Sequence, residues 1–203
     1  MQQRKYFKTI VVAPALLLAV ALVGTAMRKP AAGRAEGDVM MKGLRRGPVT
    51  MERGDAMTWM TVEQAVSKLQ QEKRPVLIDL YTTWCGWCKE MDRKTYSNKN
   101  VAGYLRDKYY SVKVDAETHE VINWQGRAYS FNPQYRSNEF ALYLTHGQLE
   151  FPTTIIIPPG EAPQAIPGYL EPKELELLVK YFGDGAYKSE GFDVYQKRFK
   201  GSW

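Results

Sequence analysis

Apolar residues recur along this chain in two rhythms, one near 3.6 residues and one of two, and their succession lays out the elements. Val62, Ala65, Val66 and Leu69 repeat at helical spacing behind Thr61 and Gln64, which stand three residues apart as a capping-box signature. Pro75 follows the polar end of that helix. Val76-Leu77-Ile78-Asp79-Leu80-Tyr81 then reads as a short buried strand. A helix containing the cysteines is expected next, and Val101, Leu105 and Tyr109 mark another. Tyr110 to Asp115 reads as a strand through alternating Val112 and Val114. Thr154-Ile155-Ile156-Ile157 is a further buried strand, stopped by Pro158-Pro159-Gly160. The last clear helix opens at Pro172, a good first-turn residue, and puts Leu175, Leu178, Val179 and Phe182 on one face. Strands alternating with helices predict an α/β layer fold, and there are no internal repeats.

The two ends follow other patterns. Residues 9–27 carry no charge, contain Ile10-Val11-Val12 and Leu16-Leu17-Leu18, and follow Arg4, Lys5 and Lys8. A basic stretch before an apolar run is the pattern of a secretory signal. As a helix the run would reach about 28 Å, close to a bilayer core of about 30 Å. Residues 1–31 therefore fit either a cleaved signal or an N-terminal membrane anchor, and either sends the rest across a membrane. Residues 32–57 hold Gly33, Gly37, Gly43, Gly47, Pro48 and Gly54 among mixed charges and read as a linker. The main domain is expected over residues 58–183. A tail over 184–203 has Phe192, Tyr195 and Phe199 at helical spacing and is expected to dock as a helix.

Charge narrows the partners. The formal net charge is +6, but Arg4, Lys5, Lys8, Arg28 and Lys29 supply five of those charges. A nucleic-acid binder carries its positive excess on the folded domain. This chain does not, so nucleic acid is not an expected partner.

Chemistry concentrates in Trp84-Cys85-Gly86-Trp87-Cys88-Lys89, which holds both cysteines of the chain. Only about 1% of random placements of two cysteines in 203 positions give this separation. The spacing suits a small disulfide ring at the first turn of a helix, with the first sulfur exposed and the second tucked inside. Free N–H groups and the helix dipole then stabilise the first thiolate, which is the attacking species. A purely structural disulfide, or half of a zinc site with His119 and His146 as remote donors, are the alternatives.

The segment 76–89, with its strand, aspartate and Trp-Cys-Gly-x-Cys-Lys, resembles the active-site segment of thioredoxin-like proteins. Phe151-Pro152-Thr153 before an apolar strand resembles that family's cis-proline loop, and Pro167-Gly168-Tyr169-Leu170 resembles its closing strand and turn. The likeness covers about residues 58–183 and includes the secreted branch to which the C-terminal domain of the periplasmic reductant transporter belongs. It implies a thioredoxin-like fold: a central mixed sheet flanked by helices, here with a hairpin-type insertion before the cis-proline loop. It further implies Cys85 as nucleophile, Cys88 as resolving thiol and Asp79 as the buried acid that takes the Cys88 proton. Trp84, Gly86, Trp87, Phe151 and Pro152 would contact substrate. No cofactor and no metal is called for.

The chain departs from the family pattern in three places. Trp87 stands where a proline is usual between the cysteines. Counting along the chain puts Ser111 where the family often has a lysine facing the aspartate. The stretch 117–146 is long, and Gln125-Gly126 between residues 121–124 and 127–131 predicts a hairpin ahead of a helix over 138–144. Trp124, Tyr129, Phe131 and Tyr135 in it are either local core or a partner surface, and His146 either faces the site or sits in a plain loop. The expected activity is that of a thiol–disulfide oxidoreductase of the cell envelope or periplasm, reducing disulfides of exported proteins and recharged by a membrane electron donor. A disulfide oxidant or isomerase is the alternative, followed by a Cu(I)-binding metallochaperone or other binding module.

Overall fold

The computed structural model of the protein describes residues 57–203, so the expected leader over 1–31 and nearly all of the expected linker lie outside the described residues. No helix among the described residues is long and apolar enough to cross a membrane. The scaffold is a four-stranded mixed sheet in the order β2-β1-β7-β8. β1 (Val76–Tyr81) runs parallel to β2 (Tyr110–Asp115), while β7 (Thr153–Ile157) and β8 (Gln164–Pro167) continue the sheet antiparallel. Between β2 and β7 the chain inserts two small hairpins, β3 (Ile122–Trp124) with β4 (Arg127–Tyr129), and β5 (Phe131–Asn132) with β6 (Ser137–Asn138). The first turns on Gln125 and Gly126, both at positive φ, the geometry that matches strand twist in a two-residue hairpin loop. Sequence patterning gives that hairpin but not the second, whose strands are two residues each. The closing strand also differs from expectation, lying at Gln164–Pro167 and ending before Gly168 at φ 98°.

Strand alternation sends side chains to two cores. Ile78, Leu80, Val112, Val114 and Ile155 pack with α1 (Val62–Leu69) and α4 (Glu139–Leu144). Leu77 and Ile156 face the other way, onto Met91 of α2 (Gly86–Met91), onto α3 (Lys99–Lys108) and onto α5 (Pro172–Gly183). Asp79, two residues from Leu77, therefore belongs to the α2 side of the sheet. α1 starts as expected, with Thr61 and Gln64 exchanging both capping-box hydrogen bonds. α2 runs into a π-helical turn, Asp92–Tyr96, that periodicity does not announce.

Residues 184–203 form a short 3-10 turn (Ala186–Lys188) and α6 (Phe192–Arg198), with Tyr195 against Tyr181 of α5. The last residues are fastened by Glu176, a fully buried carboxylate. It accepts hydrogen bonds from Lys180 Nζ (2.7 Å), the Ser202 amide and hydroxyl, and the Trp203 amide. Burial alone would raise the Glu176 pKa, but Lys180 and the Ser202 and Trp203 donors outweigh it and hold it below the usual 4.5. That stabilisation is complete above about pH 4.5 and is lost as pH falls through the lowered value. Glu176→Ala is expected to cost about 1–3 kcal/mol at pH 7. Denaturant unfolding of the two proteins at pH 7 and pH 3 should show the gap narrowing at the lower pH.

Candidate redox site

Cys85 and Cys88 form a disulfide. Cys85 is the N-cap of α2, and its Sγ accepts the Cys88 N–H at 3.0 Å, so the pair sits where the first turn has amides to spare. The expected difference in exposure is not there: Cys85 is 4% exposed and Cys88 3%. Trp84 stands edge-on to Phe151 with ring centroids 5.9 Å apart, and Trp87 leans on Tyr169 at 5.6 Å. Both indoles nonetheless remain 64% and 63% exposed, so the rings next to the cysteines in the chain face solvent. A side chain at Gly86 would meet nothing within 4 Å, which leaves the surface between the cysteines open.

The Phe151–Pro152 peptide bond is cis. The Pro152 carbonyl accepts the Gly168 amide at 2.8 Å, whereas neither the amide nor the carbonyl of Phe151 has a backbone partner among the described residues. An edge with free donor and acceptor lies beside the Trp84 ring.

Asp79 is 1% exposed and central in the sheet, opposite Lys113 on β2 and Thr154 on β7. This corrects the count along the chain, which put Ser111 at the facing position. The parallel register pairs Ser111 with Leu77 and brings Lys113 to the aspartate, Nζ to Oδ2 2.9 Å. Lys113 also contacts Asp92, whose amide donates to the Cys88 carbonyl, so one ammonium links the buried strand to the cysteine helix. Rings of Tyr81, Trp59 and Tyr96 surround it at 5.0, 5.2 and 6.0 Å, a cation–π arrangement. Burial pushes the Asp79 pKa up to about 6, against the opposing pull of Lys113. For Lys113, burial acts downward, yet the Asp79 and Asp92 carboxylates prevail and raise it. Burial also lifts the Tyr96 phenol well above its ordinary range.

Lys113, Asp92 and Tyr96 are the members that sequence reasoning missed. Lys113 did leave a signal, as the polar position between Val112 and Val114. Of the insertion's aromatics, Trp124 and Tyr129 are core, packed on Phe140, and Phe131 stacks on His119 at 3.8 Å. Tyr135 is 55% exposed and lines a groove with Trp84 and Phe151. His146 turns with φ 53° and lines a separate groove with Glu150 and Thr153.

Topology and site together define a thioredoxin-like protein with a helix-capping cysteine pair. More particularly, residues 49–179 match the Thioredox_DsbH family, described as "Protein of unknown function, DUF255", and the chain belongs to that family. It is 34% identical over 88 residues to "Thioredoxin Y, chloroplastic" of Oryza sativa subsp. japonica, covering 41% of this chain and 51% of that protein. It is 34% identical over 105 residues to "Thiol:disulfide interchange protein DsbD" of Ralstonia nicotianae, covering 49% of this chain and 17% of that protein. The chain thus spans about half the length of the first relative and less of the second. Among solved structures, a thioredoxin-fold protein from Helicobacter pylori aligns with a TM-score of 0.47 at 13% identity, over 62% of this chain and 83% of that one.

The Asp79 environment sets a pH dependence. The folded protein holds the Asp79 proton up to about pH 6, the unfolded chain only to about 3.8. Stability should therefore fall as pH rises from about 4 to about 6, with the cost of the buried charge complete above that. Asp79→Asn is expected to exceed the parent protein in stability at pH 7 by up to about 3 kcal/mol. The difference should vanish near pH 4 in denaturant unfolding of the disulfide forms.

Proposed function

We propose that the protein is a thiol–disulfide oxidoreductase of the cell envelope that reduces disulfides in exported proteins. The observation that carries this is the Cys85–Cys88 disulfide capping α2 beside the unpaired Phe151 backbone. A purely structural staple of four residues adds little stability and needs no such edge. In the reduced protein the Cys85 thiolate attacks one sulfur of a target disulfide. That S–S bond breaks, a mixed disulfide forms, and the first target thiolate leaves and is protonated by water. Cys88 then gives its proton to Asp79 and attacks the Cys85 sulfur, releasing the second target thiolate. Two electrons have passed to the target, and Cys85–Cys88 is left oxidised. A substrate strand pairing with Phe151 would hold the target in line, and Trp84, Gly86 and Trp87 would flank it.

The envelope location rests on the basic and apolar leader over residues 1–31 and on likeness to a disulfide interchange protein. An oxidising compartment would leave the pair spent after one turn, so a membrane electron donor must recharge it. The reducing direction rests on the Trp-Cys-Gly-x-Cys-Lys frame with its buried aspartate and paired lysine.

Cys88→Ser is expected to accumulate mixed disulfides with envelope proteins through Cys85, and Cys85→Ser is not; non-reducing gels of envelope extracts check both. Dithiol pairs of this spacing span roughly −270 to −120 mV. A potential for Cys85–Cys88 below about −180 mV supports the reductant, and a more positive one favours an oxidant or isomerase. Asp79→Asn should slow resolution of the mixed disulfide by as much as about 10²–10⁴-fold near neutral pH while sparing the first attack. Stopped-flow measurement of the two half-reactions separates them, and equal resolution rates between pH 6 and 8 would leave Asp79 a structural residue.

A further inference from the structure

The 117–146 insertion does more than lengthen the chain between β2 and β7. Its second hairpin loop, Glu117 just past the end of β2 and the approach to Phe151 line a groove of about 330 Å³. Trp84, Tyr135, Leu149 and Phe151 give it an apolar lining, and Glu117 and Arg136 give it charge. Trp84 is the chain neighbour of Cys85 and Phe151 of Pro152, so the groove opens directly beside the reacting sulfurs. Its volume lies at the small end of ligand pockets, roughly 300–1,000 Å³, which suits one or two side chains of a passing polypeptide and not a cofactor.

The two charges are not equivalent. Glu117 accepts the Trp84 indole N–H at 3.0 Å, and its own amide is held by Asp115 Oδ1 at 2.9 Å. It serves to fix the ring. Arg136 is exposed and has no hydrogen bond or ion pair among the described residues. It also holds φ at 49°, in the left-handed region that costs a residue with a Cβ. The hairpin thus presents an unspent guanidinium next to the exposed Tyr135 ring, at the rim of the groove.

We propose that this groove selects polypeptide disulfides carrying a bulky apolar side chain and a carboxylate beside the reacting cysteine. The apolar side chain lies between Trp84, Tyr135 and Phe151, and the carboxylate meets Arg136. The proposal rests on the thiol–disulfide exchange reading above and adds to it the chemistry of the substrate.

Two oxidised peptides test it, sharing one internal disulfide and one flanking leucine and differing only by aspartate or lysine next to that leucine. Attack by the reduced full-length protein is followed by tryptophan fluorescence in stopped flow, at low salt and at high salt. Each rate is divided by that for bis(2-hydroxyethyl) disulfide, so that any general loss of thiol reactivity or fold cancels. The parent protein should favour the aspartate peptide by about two- to fivefold at low salt, the scale of one exposed charge pair, with the preference shrinking in high salt. Arg136→Glu should reverse the preference, and Tyr135→Ala should lower the normalised rates with both peptides. Equal rates in the parent, a preference that survives Arg136→Glu, or peptide rates untouched by Tyr135→Ala would overturn the proposal. Failure of the reduced protein to react with bis(2-hydroxyethyl) disulfide would instead overturn the exchange chemistry itself, and the groove assignment with it.

Discussion

A carboxylate placed at the centre of a sheet must be answered by a positive charge or stay protonated, and Asp79 sets that condition for everything around it. Lys113 answers from the neighbouring strand, and only one register lets it do so. A one-residue slip of β2 would turn its side chain to the opposite face. A two-residue slip would set Ser111 or Asp115 against the acid, one without charge and the other with the wrong sign. The ion pair therefore favours the same pairing of β1 with β2 that the apolar alternation does. Because Asp92 shares the ammonium, it also fixes where the cysteine helix lies over the sheet.

The outer layer is organised differently. Next to the cysteines in the chain, large rings take the place of charges: Trp84 stands on Phe151 and Trp87 on Tyr169. The site thus pairs a buried polar cluster around Asp79 with an exposed aromatic rim around the cysteines. Trp87 stands between the cysteines in the chain, and its indole extends that rim on the Tyr169 side.

Much of this was legible in the sequence. Apolar runs identified β1 and β7, and the Val112 and Val114 alternation β2, each within a residue, because Pro75 and Pro158-Pro159-Gly160 bound stretches too short for a helix. The cysteine spacing located the site, since the chain holds only these two thiols. What the sequence concealed depends on geometry between distant segments. A family-based count along β2 gave Ser111, whereas pairing with β1 gives Lys113, and only the register distinguishes them. β5 and β6 are too short for any alternation to show, so the hairpin that brings Tyr135 and Arg136 to Trp84 had no signature. The low exposure of Cys85 likewise had no signature in the sequence.

The π-helical turn at Asp92–Tyr96 has a bearing on how this helix tolerates change in length. Such a turn holds one residue more than an α-helical turn, so whatever follows it is offset by about 100° from the frame that Cys88 sets. Asp92 lies at its start, toward Lys113, while Thr95 and Tyr96 at its end are both buried, with the Thr95 hydroxyl donating to the Leu170 carbonyl. Deleting a single residue there would restore regular winding yet swing one end of the segment off the core. The irregular winding lets one short segment carry Asp92 to Lys113 and the Thr95 hydroxyl to the Leu170 carbonyl.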